Sequence, residues 1–197
     1  MAPYISDRQY TNYIHDNVAL PIVYNVLGWN QMKLEDAYAE HIDMQNGIDY
    51  VFKQNNVIKT VQERFREKKY SMYSDFTIRY RRDGNIHADR RESEYYKMQA
   101  SFFTYGITNC LKTDVTQCTD FLKYAIIDLE KVYAKIDSGE IIIRDNGRNT
   151  CRIIDDKIIE CPVKYNNDGS SSFFPIEISF LVQLFGNDII IAQNGFI

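Results

Sequence analysis

The stretch GIDYVFKQNNVIKTVQERFR, residues 47–66, decides how the rest of the chain is read. Asn46-Gly47 before it is a helix stop and turn signal. Residues 48–53 then read as a strand, and Asn55-Asn56 turns the chain. Residues 57–66 alternate with a period of two, placing Val61, Glu63 and Phe65 on one side and Gln62, Arg64 and Arg66 on the other. The expectation is an antiparallel hairpin whose second strand carries charge on one face and apolar bulk on the other.

Working upstream, Asn30 is placed to cap a helix running to about residue 44, with Met32, Leu34, Ala37, Tyr38 and Ile42 near helical spacing. Residues 1–30 form an N-terminal extension rich in Tyr and Asn, with a short helix over 7–13. Downstream, DFTIRYRR (residues 75–82) predicts a third strand, ended by Asp83-Gly84-Asn85, so that the three strands make an antiparallel meander. A helix over 93–102 capped by Ser93, strands over 103–108 and 121–129, and a helix over 129–136 follow. That order describes an α/β fold, a mixed sheet flanked by helices, over residues 31–137. Residues 138–197 read as an α+β elaboration packed on this core. It holds strands over 141–144, 153–159 and 188–192, a loop NNDGSSS (166–172) and a helix over 175–185 with Pro175 in its first turn.

Composition bounds the function classes. The chain has 197 residues, a formal net charge of −4, 15 Tyr and 11 Phe. Charge is uneven: residues 59–97 hold eleven Lys/Arg against seven Asp/Glu, and the remainder is strongly acidic. A local basic stretch on an acidic protein faces phosphates, or is simply a solvated charged hairpin. The four cysteines, Cys110, Cys118, Cys151 and Cys161, match no zinc spacing. No apolar run approaches the roughly 18 residues of a membrane span, so no membrane partner is expected. No charged, apolar, small-residue leader is read at the start, so the expectation is a cytoplasmic setting, bacterial or phage-infected, with reduced thiols. P-loop and nucleophile-elbow motifs are absent.

The chemistry centres on the hairpin. Thirteen residues separate Asp49 from Glu63, and the turn brings the two strands together. A carboxylate there suits a hard cation such as Mg2+ (or Mn2+), which takes oxygen ligands and keeps several waters. A cation two residues along the same strand shares the face and stabilises charge on a phosphoryl oxygen.

Glu40 on the helix, GIDYVF with Asp49, TVQERFR and SEYYKMQA resemble the PD-(D/E)XK nuclease superfamily over roughly residues 31–137. The resemblance implies a restriction-endonuclease-like core, metal-dependent hydrolysis of DNA, and a homodimer, since cutting both strands takes two sites. It makes Glu40, Asp49 and Glu63 the metal ligands and Asp49, Gln62, Glu63, Arg64 and Lys97 the catalytic set. Arg66, Arg79, Arg81 and Arg82 would contact nucleic acid.

The third motif departs from the pattern. Gln62 and Arg64 give Q-x-R where the family has an acid and a Lys. Arg keeps the charge but never releases its proton. A bulge that turns Glu63 inward, or Lys97 supplying the ammonium from the next helix, are the other solutions. A protein that keeps the fold without catalysis, as a DNA-binding or protein-inhibiting module, is the competing reading. A third reading has no site at all, with Gln62, Arg64 and Arg66 as the wet face of an edge strand. His41 directly follows Glu40 and so points away from it on the helix, reading as a surface or half-buried residue; His15 and His87 have no partner at metal spacing, and Asp75 is expected to pair with Arg66 across strands.

Overall fold

The N-terminal layer begins with a reciprocal cap. Ser6 Oγ accepts from the Gln9 N–H at 3.1 Å, and Gln9 Oε1 accepts from the Ser6 N–H at 3.0 Å, starting α1 (Asp7–Ile14). The computed structural model describes residues 6–81, 93–167, 169 and 171–197. Helix α1 runs straight on into a wider π-type helical segment, His15–Tyr24. The helical stretch outlasts the predicted 7–13 because Ile14, Val18, Val23 and Tyr24 are all buried.

Asn30 does not cap a helix. With Gln31 it forms a short strand, β1 (Asn30–Gln31), and α2 (Asp36–Asn46) starts later behind Glu35. The buried Trp29 fixes the chain against the sheet, so residues 30–31 are drawn into pairing. Gly47 ends α2 at φ +59, its N–H bonding Asp43 O, while the Ile48 N–H reaches Ile42 O. Strands β2 (Tyr50–Gln54) and β3 (Val57–Arg66) are antiparallel, joined by Asn55 and Asn56 at φ +48 and +66. Two successive positive φ values make a turn whose twist matches its strands.

β3 changes partner half-way. Residues up to Val61 pair with β2; from Val61 to Arg66 the strand runs parallel to β5 (Phe102–Thr108). The predicted meander is therefore corrected: β4 (Asp75–Arg81) does not join this sheet. β5 already occupies the neighbouring edge, and β4 instead buries Phe76 and Ile78 against the face that carries Phe103. Helix α3 (Glu94–Lys97) is one turn, shorter than the expected 93–102, because Gln99 and Ser101 give their N–H groups to Asn46 O and Thr60 Oγ1.

After β6 (Phe121–Asp128), Asp128 caps α4 (Leu129–Asp137) by accepting from the Lys131 N–H. β7 (Ile141–Arg144) follows. The strand expected over 153–159 is two strands, β8 (Arg152–Ile154) and β9 (Ile158–Pro162), turned by Asp155 and Asp156 at φ +50 and +54. β10 (Lys164–Tyr165) leads to β11 (Ser172–Glu177), and Pro175 lies in that strand rather than in the first turn of a helix. β10 pairs only with Ser172 and Phe173, so Pro175 sits where one edge is open and a missing N–H costs little. α5 (Ile178–Phe185) and β12 (Ile190–Asn194) complete the chain.

The result is mixed α/β: a six-stranded mixed sheet in the order β1-β2-β3-β5-β6-β12 and two three-stranded sheets, β10-β11-β4 and β7-β9-β8. One face of the large sheet packs on the N-terminal helical layer through Tyr10, Ile14, Tyr24, Trp29, Phe52, Val61 and Phe65. The other packs on β4, β11, β9, α4 and α5 through Ile78, Phe103, Ile127, Val132, Ile159, Phe174 and Leu181. Among the described residues no helix is long and apolar enough to cross a membrane.

Candidate functional site

Beyond Val61 β3 has no β2 beside it, and Asp49 stands where the two strands part. The Asp49 N–H donates to Val61 O at 2.9 Å. Its Oδ2 accepts from the Glu63 N–H at 2.7 Å and from Gln62 Nε2 at 2.6 Å. The hairpin register thus does bring Asp49 to the Q-E-R strand. Gly47 leaves room: a Cβ there would meet Met98 Cα at 3.2 Å and Gln62 Oε1 at 3.4 Å.

Gln62, Arg64 and Arg66 share the face that looks toward β4, as the alternation predicts. Arg64 Nη1 donates to Thr77 O at 2.8 Å, and its Nη2 pairs with the Glu94 carboxylate. Arg66 Nη2 reaches Thr77 Oγ1 at 3.1 Å, and its guanidinium lies over the Tyr70 ring. The expected Asp75–Arg66 bridge is not made: Asp75 faces Glu177 across the β4–β11 pairing, and burial raises its pKa.

Three predicted site residues are placed elsewhere. The Glu63 carboxylate lies on the opposite face, sealed under the N-terminal layer. Its Oε1 accepts from Tyr24 Oη at 2.6 Å and contacts His15 Nδ1 at 2.9 Å, with both His15 and Glu63 side chains fully enclosed. No bulge turns Glu63 toward Asp49, because regular pairing with β5 runs through it. Glu40 is exposed on α2 in a separate concavity beside Arg8, Asp36 and Asp43. The helix carboxylate whose charge acts on Asp49 is Asp43, which itself pairs with Arg8. Lys97 is committed to the end of α2, donating to Asp43 O at 3.2 Å and Met44 O at 2.6 Å. Arg82 and His87 lie outside the described residues.

Sequence reasoning missed Asp43, Arg8, Glu94 and the His15–Tyr24 pair. Asp43 follows Glu40 by one helical turn, a signal available from spacing. His15 and Tyr24 meet Glu63 only through the tertiary fold.

Asp49 is the carboxyl group most strongly shifted at the fork. Burial pushes its carboxyl up to about 8; the neighbouring Glu63 and Asp43 charges add to this, while the Glu63 N–H and Arg8 oppose it. Burial, with the Glu63 and Asp49 charges, also raises the Tyr50 phenol. Among the described residues no three His, Cys, Asp or Glu side chains converge on one ion's reach. The donors at hand are Asp49 Oδ1, which makes no hydrogen bond among the described residues, and Gln62 Oε1 after a half-turn of its amide. One carboxylate, one amide oxygen and waters fit Mg2+, which seldom takes an all-protein cage.

A cleft of about 380 Å³ runs beside residues 63–67 of β3; Asp49 and Gln62 do not line it, and Arg64 is its nearest lining residue along the strand on their face. α1 walls it with Tyr10 and Thr11, and the β10–β11 hairpin closes it with Asn166, Ser171 and Phe173. Arg64, Arg66, Arg79 and Lys112 line it, so its cationic lining outweighs Asp7, Glu63 and Glu67. Arg81 is half-buried over the Tyr80 ring. No protein-family model, curated protein or solved structure matches this chain.

Proposed function

We propose that the chain is a metal-dependent nuclease with a restriction-endonuclease-like core, hydrolysing phosphodiester bonds of DNA at the fork of β2 and β3, with the flanking backbone held in the cleft beside β3. The observation that carries this reading is the Asp49–Gln62 contact at the fork of β2 and β3, with Arg64 next on the same face. Asp49 and Gln62 would hold the cation. When bound, it supplies an acidified water and neutralises charge on the phosphoryl oxygen. Arg64 stands two residues along from Gln62 and offsets charge that grows on the phosphate. Arg66 and Arg79 seat the flanking backbone by charge-assisted hydrogen bonds. Cutting both strands takes two such sites, so this reading carries a homodimer with it, acting in a cytoplasm.

The test is nicking of supercoiled plasmid in Mg2+ or Mn2+. Wild type nicks, chelation stops it, and Asp49→Asn loses at least about 100-fold in rate while unfolding as cooperatively as before. Equal nicking by Asp49→Asn removes the assignment.

One observation favours a second reading, a nucleic-acid-binding module without catalysis. Arg64 is already engaged by Glu94 and by Thr77 O, and Q-x-R supplies no second acid. Metal-independent DNA binding, with no nicking at any Mn2+ concentration, would select it.

A further inference from the structure

Away from the cleft, the outer face of the β7-β9-β8 sheet carries a cluster that the proposed chemistry does not use. Glu160 on β9 is 2% exposed in its side chain, and three guanidiniums converge on it. Arg152 Nε lies 2.8 Å from Oε1, Arg144 Nη1 3.3 Å from Oε2, and Arg148 Nε 3.8 Å from Oε1. Asn146 Nδ2 adds a hydrogen bond at 3.1 Å. The arginines come from β7, the loop after it and β8, so the fold gathers them and sequence spacing does not announce it.

One carboxylate balances one guanidinium. Glu160 itself supplies one negative charge against the three guanidiniums that approach it. Each guanidinium has five N–H donors, and a carboxylate accepts about four hydrogen bonds, so most donors are unused. The three side chains are 60%, 52% and 44% exposed, so those donors reach solvent. Glu160 is buried below and acts as the anchor, holding the forks with their free edges outward. Preorganised guanidiniums with surplus charge are receptors for tetrahedral oxyanions.

The cluster is also tied to the cleft. The loop that carries Arg148 is fastened to β10 by Lys164–Asn149 and Tyr165–Asp145 hydrogen bonds. The next residue, Asn166, lines the cleft. We infer that Arg144, Arg148 and Arg152, anchored by Glu160, form a second phosphate-binding site for the backbone of the same DNA, one short strand away from the cleft. This rests on the nuclease reading for the identity of the polymer, but it concerns binding and not cleavage.

The experiment measures binding of a labelled DNA duplex of about 20 base pairs by fluorescence anisotropy across a salt series, with Ca2+ in place of Mg2+. The variant is Arg144→Gln/Arg148→Gln, which keeps the closest Arg152–Glu160 pair so that the buried carboxylate stays neutralised. The expected result is about tenfold weaker binding at low salt and a salt slope smaller by about two, as two lost phosphate contacts require. Arg144→Lys/Arg148→Lys should recover the slope. An unchanged affinity and slope, with the variant's melting temperature intact, overturns the site and leaves the nuclease reading standing. Weakened binding in a protein that never nicks plasmid sinks the nuclease reading and keeps the site.

Discussion

Asp49 has an ordinary carboxyl value of 3.8 and is pushed to about 8 by burial and by the Glu63 and Asp43 charges. The folded chain therefore holds a proton there that the unfolded chain has released. The stabilisation is complete below about pH 3.8 and is lost as pH rises through about 8. Asp49→Asn removes this dependence. Its melting temperature should match wild type below about pH 3.8, exceed it by a margin that grows as pH rises, and level off above about pH 8. Added Mg2+ should recover part of the wild-type loss at pH 9 and do nothing for the variant. A parallel decline in both proteins would show that Asp49 is not held protonated. Arg64 and Glu94 give a second residue-scale test. Glu94 is 9% exposed in its side chain, so Arg64→Ala leaves an uncompensated carboxylate and should cost about 3 kcal/mol. Arg64→Ala/Glu94→Gln should restore most of that in urea unfolding, because the stranded charge is gone. A double variant no better than the single one would remove the ion pair from the account.

At the scale of elements, the β2–β3 hairpin decides whether a site exists at all. Its two-residue turn holds Asn55 and Asn56 at positive φ, and that fixes the register that sets Asp49 beside Gln62. Asn tolerates this region because its short polar side chain bonds locally, whereas Ala pays a Cβ clash. Asn55→Ala/Asn56→Ala should cost about 2 kcal/mol, and Asn56→Gly should gain about 0.5 kcal/mol, both read by thermal unfolding. If the turn sets the register, the Ala pair also loses protection of the Glu63 amide in hydrogen exchange, since that N–H points at Asp49. Turn, strand alternation and the αL stop at Gly47 were legible in the sequence, because each is a local conformational preference. The length of α3, the strand holding Pro175 and the break at Asp155-Asp156 were not. In each of those cases long-range pairing overrode the local signal.

For the whole molecule, the last strand closes the sheet. β12 pairs with β6 and covers its outer edge, and Ile189 and Phe196 are buried with it. A chain ending at residue 186 exposes that edge and strips apolar cover from Ile127 and Tyr105. It should lose cooperative unfolding and bind a hydrophobic dye, by calorimetry and fluorescence. A truncated chain that melts as sharply as the full one would make β12 dispensable.

The sequence by itself determined the hairpin, the two-faced character of residues 57–66, the mixed α/β class and the approach of Asp49 to the Q-E-R strand, leaving Gln62 or Glu63 as its partner. Period-two alternation and turn chemistry act over a few residues and need no partner. Only the tertiary structure decided that Glu63 is sealed against His15 and Tyr24, that β4 leaves the sheet, that Lys97 holds α2, and that three arginines meet at Glu160. Those outcomes depend on which distant segments compete for one strand edge or one buried charge. That competition is settled by packing, and no spacing along the chain records it.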